Sequence, residues 1–270
     1  MRFLRLTIVE MRRALHRRLV RWMIVIAIAF SAIAGLIIFL SSKDPVKFAQ
    51  DQAHPARMVN WWTSGSGDDM LTTAALFLVV GAAVCGASVA GAEWRAGTMT
   101  TMLTWMPSRV RLYGARTLSA AFLASVISFL LQVIYLACAL PAVLTHGSTA
   151  GTDASWWAAL LLAMLRISVV TSLVAVLAVS IASVGRNTSA ALVAIAAWAL
   201  VIERLVAGFW PRLGRFMIAE NVATVVPWAQ MTDVDFERPP IVALLALLAY
   251  LAAVVAAATA LFARRDVATT

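Results

Sequence analysis

Charged residues are scarce in this chain of 270 residues: only 13% are Asp, Glu, Lys or Arg, whereas 62% are hydrophobic. A soluble domain carries charge on about a quarter of its residues, because its surface must be solvated by water. The deficit excludes an ordinary water-soluble domain. It predicts a chain that is surrounded mostly by lipid.

Residues and motifs that carry metal or nucleotide chemistry are also scarce. The two cysteines, Cys85 and Cys138, lie within apolar runs and form no CxxC pair, so neither a zinc site nor a disulfide framework is predicted. The three histidines fall in unrelated segments, and there is no HExxH signature. No Gly-x-x-x-x-Gly-Lys-Ser/Thr pattern occurs, so this chain has no Walker-type cradle for ATP. A membrane enzyme is therefore the weakest of the functional hypotheses.

Six long apolar runs are what the sequence does contain. Each can cross a ~30 Å hydrocarbon core, which takes about 20 helical residues. Their continuous apolarity favours helices over barrel strands, which alternate over about ten residues. We predict an all-α integral membrane protein with six transmembrane helices at approximately 22–40, 70–91, 117–144, 156–184, 190–209 and 241–262.

The distribution of arginine and lysine predicts the orientation of these helices. With the N-terminus in the cytoplasm, the inner segments hold 14 Lys and Arg residues and the outer segments hold 6. Cytoplasmic loops carry the excess of positive charge, so both termini are predicted inside. The net charge of +9 therefore reflects membrane topology, and membrane lipids rather than nucleic acids are the expected partners.

Residues 1–21 are predicted to form a separate amphipathic helix before the six-span domain at 22–270. Such a helix lies flat in the headgroup region of an anionic leaflet. A generic basic flank of the first span is an equal alternative. Its apolar stripe, with residues three or four apart, consists of Leu4, Ile8, Met11, Leu15, Leu19 and Trp22, and its basic side carries Arg5, Arg12, Arg13 and Arg17.

The predicted outer segment 210–240 mixes apolar stretches with charges and four prolines. It is too interrupted to span the membrane. Two alternatives fit it, a short helix lying on or dipping into the outer leaflet and an ordinary folded loop.

The predicted inner loop between the second and third runs has the most informative pattern. Glu93 stands at the membrane boundary, and Pro107 ends a short helical turn because proline cannot continue a helix. One side of that turn is formed by Met99, Met102, Leu103 and Met106. A short helix with a greasy side suits docking to a soluble partner, and a plain turn between two spans is an equal alternative.

The loop also resembles that of type-2 ABC transporter permeases, the membrane half of many bacterial exporters. The family pattern Glu-x-x-x-Gly-Thr-x-x-x-x-Leu-x-x-x-Pro-Ser-Arg is matched by Glu93, Gly97, Thr98, Leu103, Pro107, Ser108 and Arg109. Arg116 stands where the family usually has Lys or Arg, and the tail from Phe262 to Val267 resembles its basic ending. Together with the six runs, the N-terminal helix and the long outer segment, the resemblance covers nearly the whole chain. Trp105 and the charged first outer loop depart from the family pattern.

This resemblance implies a transport subunit, not an enzyme, in a bacterial cytoplasmic membrane. Its expected partners are a second permease copy, identical or related, and a separate ATPase that binds ATP and Mg, with no cofactor in this chain. The implied substrate is amphipathic or hydrophobic, such as a drug, a peptide antibiotic or a lipid-like molecule. A scaffold or sensor that docks an ATPase without transporting anything is the alternative. The implied docking residues are Gly97, Thr98, Met102, Leu103, Pro107, Ser108 and Arg109, and Glu93 is expected near the inner gate.

Charged residues inside two of the runs are further translocation candidates, because a charge at the bilayer centre costs about 2.5–3.5 kcal/mol even on the mildest scale. Arg166 lies about ten residues into the fourth run, roughly 15 Å deep. Glu203 and Arg204 lie in the outer half of the fifth. We hypothesise that Glu203 pairs with Arg166 or Arg204 and lines a polar cavity. The alternative is that Glu203 and Arg204 extend to the outer interface.

Small and hydroxylated residues mark the sides of two runs. Small residues four apart allow helices to approach closely in lipid, and we expect packing within the chain, with a seam between two chains as the alternative. The hydroxyl side of the fourth run fits helix–helix hydrogen bonds or a substrate path. The small residues are Ala82, Ala83, Gly86, Ala87 and Gly91, and the hydroxyl residues are Ser168, Thr171, Ser172, Ser180 and Ser183.

Overall fold

A computed structural model of the chain describes residues 3–63, 69–99, 102, 108–229 and 238–264. Its α-helices, in chain order, are α1 (Phe3–Leu15), α2 (Arg18–Ser41), α3 (Pro45–Gln50), α4 (Met70–Arg95), α5 (Arg109–His146), α6 (Ala154–Gly185), α7 (Thr188–Ala197), α8 (Glu203–Phe209), α9 (Pro211–Gly214), α10 (Ile218–Val225) and α11 (Pro240–Arg264). A 3₁₀ turn at Met58–Trp61 and a π-helical turn at Trp198–Ile202 complete the described elements.

Six of these helices are long and apolar enough to cross a membrane, within the described ranges: α2, α4, α5, α6, the continuous α7–α8 segment and α11. The prediction of an all-α chain is therefore confirmed for the described residues, with six helices that are long and apolar enough to span a membrane, as in a multi-pass membrane protein. The main difference in length is at α5, which begins at Arg109, eight residues before the predicted start of the third span.

The N-terminal helix is shorter than predicted. It ends at Leu15, and residues 18–21 form the first turn of α2. Arg17 has an extended backbone between the two helices, with ψ of 130°. Its guanidinium donates to the carbonyl oxygens of Ser88 and Val89 at 2.8 and 3.1 Å. The break between α1 and α2 thus occurs where Arg17 contacts α4. No local sequence pattern predicts that contact.

The spans alternate in direction, so the bundle has two distinct ends. We call the end with α1, the α4–α5 loop and the end of α11 the arginine-rich end. There Trp94 of α4 packs against Phe262 of α11, with ring centroids 6.3 Å apart. At the opposite end Trp156 Nε1 donates to the carbonyl oxygen of Trp62 at 3.0 Å.

Helix α4 packs along α6 and α7 through its small residues. A Cβ built on Gly91 would overlap Thr188, and one built on Gly86 would lie 3.1 Å from Ala175 Cα and closer still to the Ala175 carbonyl oxygen. Ala83 and Ala87 belong to the same alanine-rich core. The predicted packing of these small residues within the chain is therefore confirmed.

The polar side of α6 makes hydrogen bonds to α5. Gln132 Nε2 approaches Ser168 Oγ at 3.2 Å, and Ser128 Oγ donates to Thr171 Oγ1 at 3.3 Å. Near the arginine-rich end, Tyr113 and Ser180 hydroxyls are 2.8 Å apart. These hydroxyl groups connect two spans, as one of the two predictions for α6 proposed.

The segment after the fifth span contains the short helix α10. Ile218 and Val222 on α10 line one small apolar crevice together with residues of α6 and α11, including Val174 and Leu251. Val225 is buried in the core beside these helices. A short helix therefore forms at Ile218–Val225, and it packs against the bundle. Its predicted position on or in the outer leaflet stays a prediction.

Candidate functional site

Five charged side chains meet at the arginine-rich end, where α1, α4 and α5 adjoin. They are Glu10, Arg13, Arg17, Glu93 and Arg116, and we call them the ionic cluster. Arg116 is at its centre and only 2% exposed. Its Nη2 donates to Glu93 Oε2, and its Nε donates to Glu10 Oε2 at 3.4 Å.

Two further arginines complete the cluster from the N-terminal side. Arg17 Nη2 donates to Glu93 Oε1 at 2.8 Å, and Arg13 Nη1 donates to Glu10 Oε1 at 3.0 Å. Burial lowers the pKa of Arg17, although the carboxylate of Glu93 acts in the opposite direction. Both carboxylates therefore face an arginine on each side, which compensates for their removal from water.

Sequence analysis placed Arg13 and Arg17 on a headgroup-facing side and did not single out Glu10. The signal was present, because Glu10, Arg13 and Arg17 are three and four residues apart and would share one side of the continuous helix predicted for residues 1–21. Glu10 is also the first carboxylate of the chain, within an arginine-rich stretch. What the sequence could not give was Arg116, which lies 106 residues further on.

The loop after α4 begins directly on the ionic cluster. Gly97 has φ of +67°, a left-handed conformation that glycine adopts without steric cost as a helix ends. Thr98 Oγ1 donates to the Glu93 carbonyl oxygen at 3.4 Å. Met99 is buried beside Arg116, and Arg13 Nη1 contacts Met102 Sδ at 3.4 Å.

Of the predicted docking residues, the structure describes Gly97, Thr98, Met102, Ser108 and Arg109. Ser108 precedes the first turn of α5, and its carbonyl oxygen accepts from Leu112 N at 3.2 Å. Leu103 and Pro107 lie outside the described residues, together with the centre of the short cytoplasmic helix that was predicted to dock, or couple, to a soluble partner. The predicted docking role of these residues stays a prediction.

Aromatic side chains pack where the end of α4, the start of α5 and the end of α11 meet. Phe262, near the end of α11, packs against Tyr113 at 6.0 Å between ring centroids as well as against Trp94. Arg186 stacks over Trp94 at 4.7 Å from the ring centroid. The basic tail that resembles the family ending thus begins beside the loop.

Arg166 lies at the opposite end and not beside Glu93. Its guanidinium carbon is 5.4 Å from the ring centroid of Trp62 and 5.3 Å from that of Trp228. Arg166 is 19 residues from the end of α6 at Gly185, or about 28 Å of helix. That length is close to the ~30 Å hydrocarbon core. Helix α6, with 32 residues, is longer than this core is thick, so its length allows Arg166 to lie near one rim.

Glu203 binds the N-terminus of α10 and pairs with neither Arg166 nor Arg204 among the described residues. Its Oε2 accepts from Ala219 N at 2.7 Å, and its Oε1 accepts from Ile218 N at 3.0 Å. Trp198 Nε1 donates to the same Oε1 at 2.6 Å. The hypothesis of an ion pair is therefore replaced by a carboxylate that caps a helix, where the dipole favours negative charge. Arg204 is exposed and Glu203 is buried.

Within the described residues, no group of three or more His, Cys, Asp or Glu side chains is placed to hold a metal ion. Comparison with models of known protein families gave no match, and comparison with curated protein sequences gave none either. The functional interpretation therefore depends on the residues of this chain.

Proposed function

We propose that this chain is the permease subunit of an ATP-driven ABC exporter in a bacterial cytoplasmic membrane. Its arginine-rich end faces the cytoplasm, and α1 lies at the inner headgroup region. Two permease chains associate, and a separate ATPase that binds ATP and Mg docks on the α4–α5 loop. The complex moves an amphipathic or hydrophobic substrate outward.

The ionic cluster is the observation that carries this proposal. Glu93 lies in the last turn of α4 before the loop, Arg116 lies about two turns into α5 after it, and the two side chains bind each other. Both positions belong to the sequence pattern that resembles the permease family. The loop is thereby held between two spans that cannot move independently without separating buried charges.

The same cluster provides a route for mechanical coupling. A motor that displaces the loop moves α4 and α5 together, and α1 follows through Glu10, which binds Arg116. Separation of a buried pair is costly because each ion is then left unpaired in a low dielectric. The cluster therefore favours movement of the three helices as one body, with Glu93 at the predicted inner gate.

Copurification with an ABC ATPase, sought first among the neighbouring genes, tests the proposal. We expect the ATPase to copurify with the wild-type chain in detergent and to be lost from the double variant Leu103→Asp/Arg109→Glu. The matched control is Leu213→Asp/Arg212→Glu, which makes the same changes at exposed positions of the opposite end. Loss from both variants, or from neither, would contradict docking through the loop.

Stimulation of ATPase activity distinguishes an exporter from a docking scaffold. A candidate substrate is expected to accelerate ATP hydrolysis by the assembled complex in liposomes. A complex that assembles normally but responds to no amphipathic compound, and accumulates none, would favour the scaffold or sensor.

A further inference from the structure

A groove of about 580 Å³ runs along the bundle between α2 and α4, with α5 and α6 behind it. On α5 it extends from Ala120 to Tyr135, about 22 Å of helix. Its volume lies within the ~300–1,000 Å³ range of small-molecule sites. Phe77 and Val80 at its edge are exposed, so the groove is open toward the side of the bundle where lipid would lie.

The walls of the groove are apolar and shaped by specific residues. Phe30 of α2 and Phe77 of α4 meet with ring centroids 4.9 Å apart and connect the two walls. Gly81 faces open space, since a Cβ added there would meet only the flexible end of Met23, at 3.7 Å. At Gly86 on the same helix, by contrast, the backbone of α6 occupies the space that a Cβ would need.

One buried polar side chain that lines this apolar groove, Gln132, has an oxygen atom without a hydrogen-bond partner among the described residues. Gln132 is fully buried, and its Nε2 donates to the carbonyl oxygens of Ser128 and Met164 at 3.1 and 3.3 Å. Its Oε1 accepts no hydrogen bond from any residue that the structure describes. Roughly 90% or more of buried polar groups in proteins are paired, so such an acceptor calls for a donor from elsewhere.

The groove reaches the arginine-rich end at Val20, which is followed on α2 by the exposed Arg21. Gln132 lies 12 residues further along α5 than Ala120, or about 18 Å. A ligand that matches both features has a polar or anionic head, a long hydrocarbon chain, and a hydrogen-bond donor part of the way along that chain.

We propose that the groove binds an amphiphile whose hydrocarbon chain carries a hydroxyl or amide N–H, and that this donor pairs with Gln132 Oε1. The inference names the substrate class of the exporter and rests on that proposed function. Acyl chains of ordinary phospholipids carry no donor at this depth. They therefore fill the apolar groove without satisfying Gln132.

Photolabelling of the full chain in phosphatidylcholine nanodiscs tests this inference. The probes are a long-chain alkyl diazirine with a mid-chain hydroxyl and its analogue with a methoxy group at the same carbon. We expect the hydroxyl probe to label α2 and α4 about fivefold more strongly, the ratio that one net hydrogen bond provides. Gln132→Met is expected to remove that preference.

Gly81→Phe fills the groove and is expected to reduce labelling at least tenfold. Leu76→Phe is the matched control, because Leu76 is exposed on the same helix and lies outside the groove. This pair of variants keeps the test valid even if Gln132→Met, which also removes hydrogen bonds to α6, fails to fold.

Two results would overturn the inference. Equal labelling of wild type and Gly81→Phe would mean that the chain does not lie in the groove. Equal labelling of wild type by both probes would mean that the groove takes plain hydrocarbon, as from membrane lipid. Failure of the exporter proposal is seen separately, as an ATPase that does not copurify while the groove is still labelled.

Discussion

Removal of Arg116 is the most direct perturbation of the ionic cluster. In Arg116→Met, Glu10 loses its buried partner Arg116 and retains the partly exposed Arg13, while Glu93 retains Arg17. Removing one member of a buried ion pair typically costs about 3–5 kcal/mol, because the other charge stays buried and unpaired. At roughly 2–4 °C per kcal/mol for a chain of this size, Tm should fall by on the order of 10 °C.

Arg111 on the same helix provides the matched control. Its side chain is exposed, so Arg111→Met should change stability by no more than about 0.5 kcal/mol. The Tm of both variants is measured by heating the protein in detergent and quantifying the fraction that stays soluble by size-exclusion chromatography. A second change, Glu10→Gln on the Arg116→Met background, should restore part of the loss by removing a buried carboxylate that keeps only the partly exposed Arg13 among the partners seen in the described residues.

Equal shifts in Tm for Arg116→Met and Arg111→Met would refute this reasoning. So would strict additivity of Arg116→Met and Glu10→Gln, since two groups in contact should show a coupling energy of at least about 0.5 kcal/mol.

Three further variants test other contacts. Gly86→Ala should destabilise the chain by about 1–3 kcal/mol in thermal unfolding, because its Cβ meets the backbone of α6, whereas Gly81→Ala should be neutral or stabilising. Glu203→Gln should lose about 1.5–3 kcal/mol of hydrogen bonding to the α10 N-terminus and make α8–α10 more sensitive to limited proteolysis than Glu220→Gln does. Arg166→Gln should lower Tm through loss of two cation–π contacts of about 0.5–2 kcal/mol each, and should lower substrate-stimulated ATPase activity.

Each of these variants has a contradicting outcome. Similar Tm values for Gly86→Ala and Gly81→Ala would mean that α4 and α6 are not in close contact. Equal proteolysis of Glu203→Gln and Glu220→Gln would remove the capping role of Glu203. Unchanged assembly and transport in Arg166→Gln would leave Arg166 without a functional role.

The positions of the spans were predictable because their signal is local. Continuous apolar runs determine α2 and α11 without reference to any other segment, and the small-residue spacing of Gly86 and Gly91 anticipated their close packing. The break before Arg18 was not predictable. It occurs where Arg17 binds the backbone of α4, and no local sequence pattern indicates that contact. The predicted spans were also too short where a helix continues past its apolar run, as at Arg109.

The candidate site was predictable only in part, because charge pairing depends on which spans adjoin. Glu93 was identified from its loop pattern, but nothing local indicated that Arg17 and Arg116 both bind it. For Glu203 we hypothesised a pair with an arginine, because charges inside membrane spans often pair with one another. It instead binds the backbone of a helix that begins 15 residues later.

The contact between Glu10 and Arg116 has a consequence for biosynthesis. The two residues are 106 positions apart, so at about 5–20 residues per second the ribosome needs roughly 5–20 s to supply the second after the first. During that time the nascent α1 carries a carboxylate whose final partner does not yet exist. The helix must therefore wait in water or among headgroups, and it completes its place in the bundle only when the third span has been inserted.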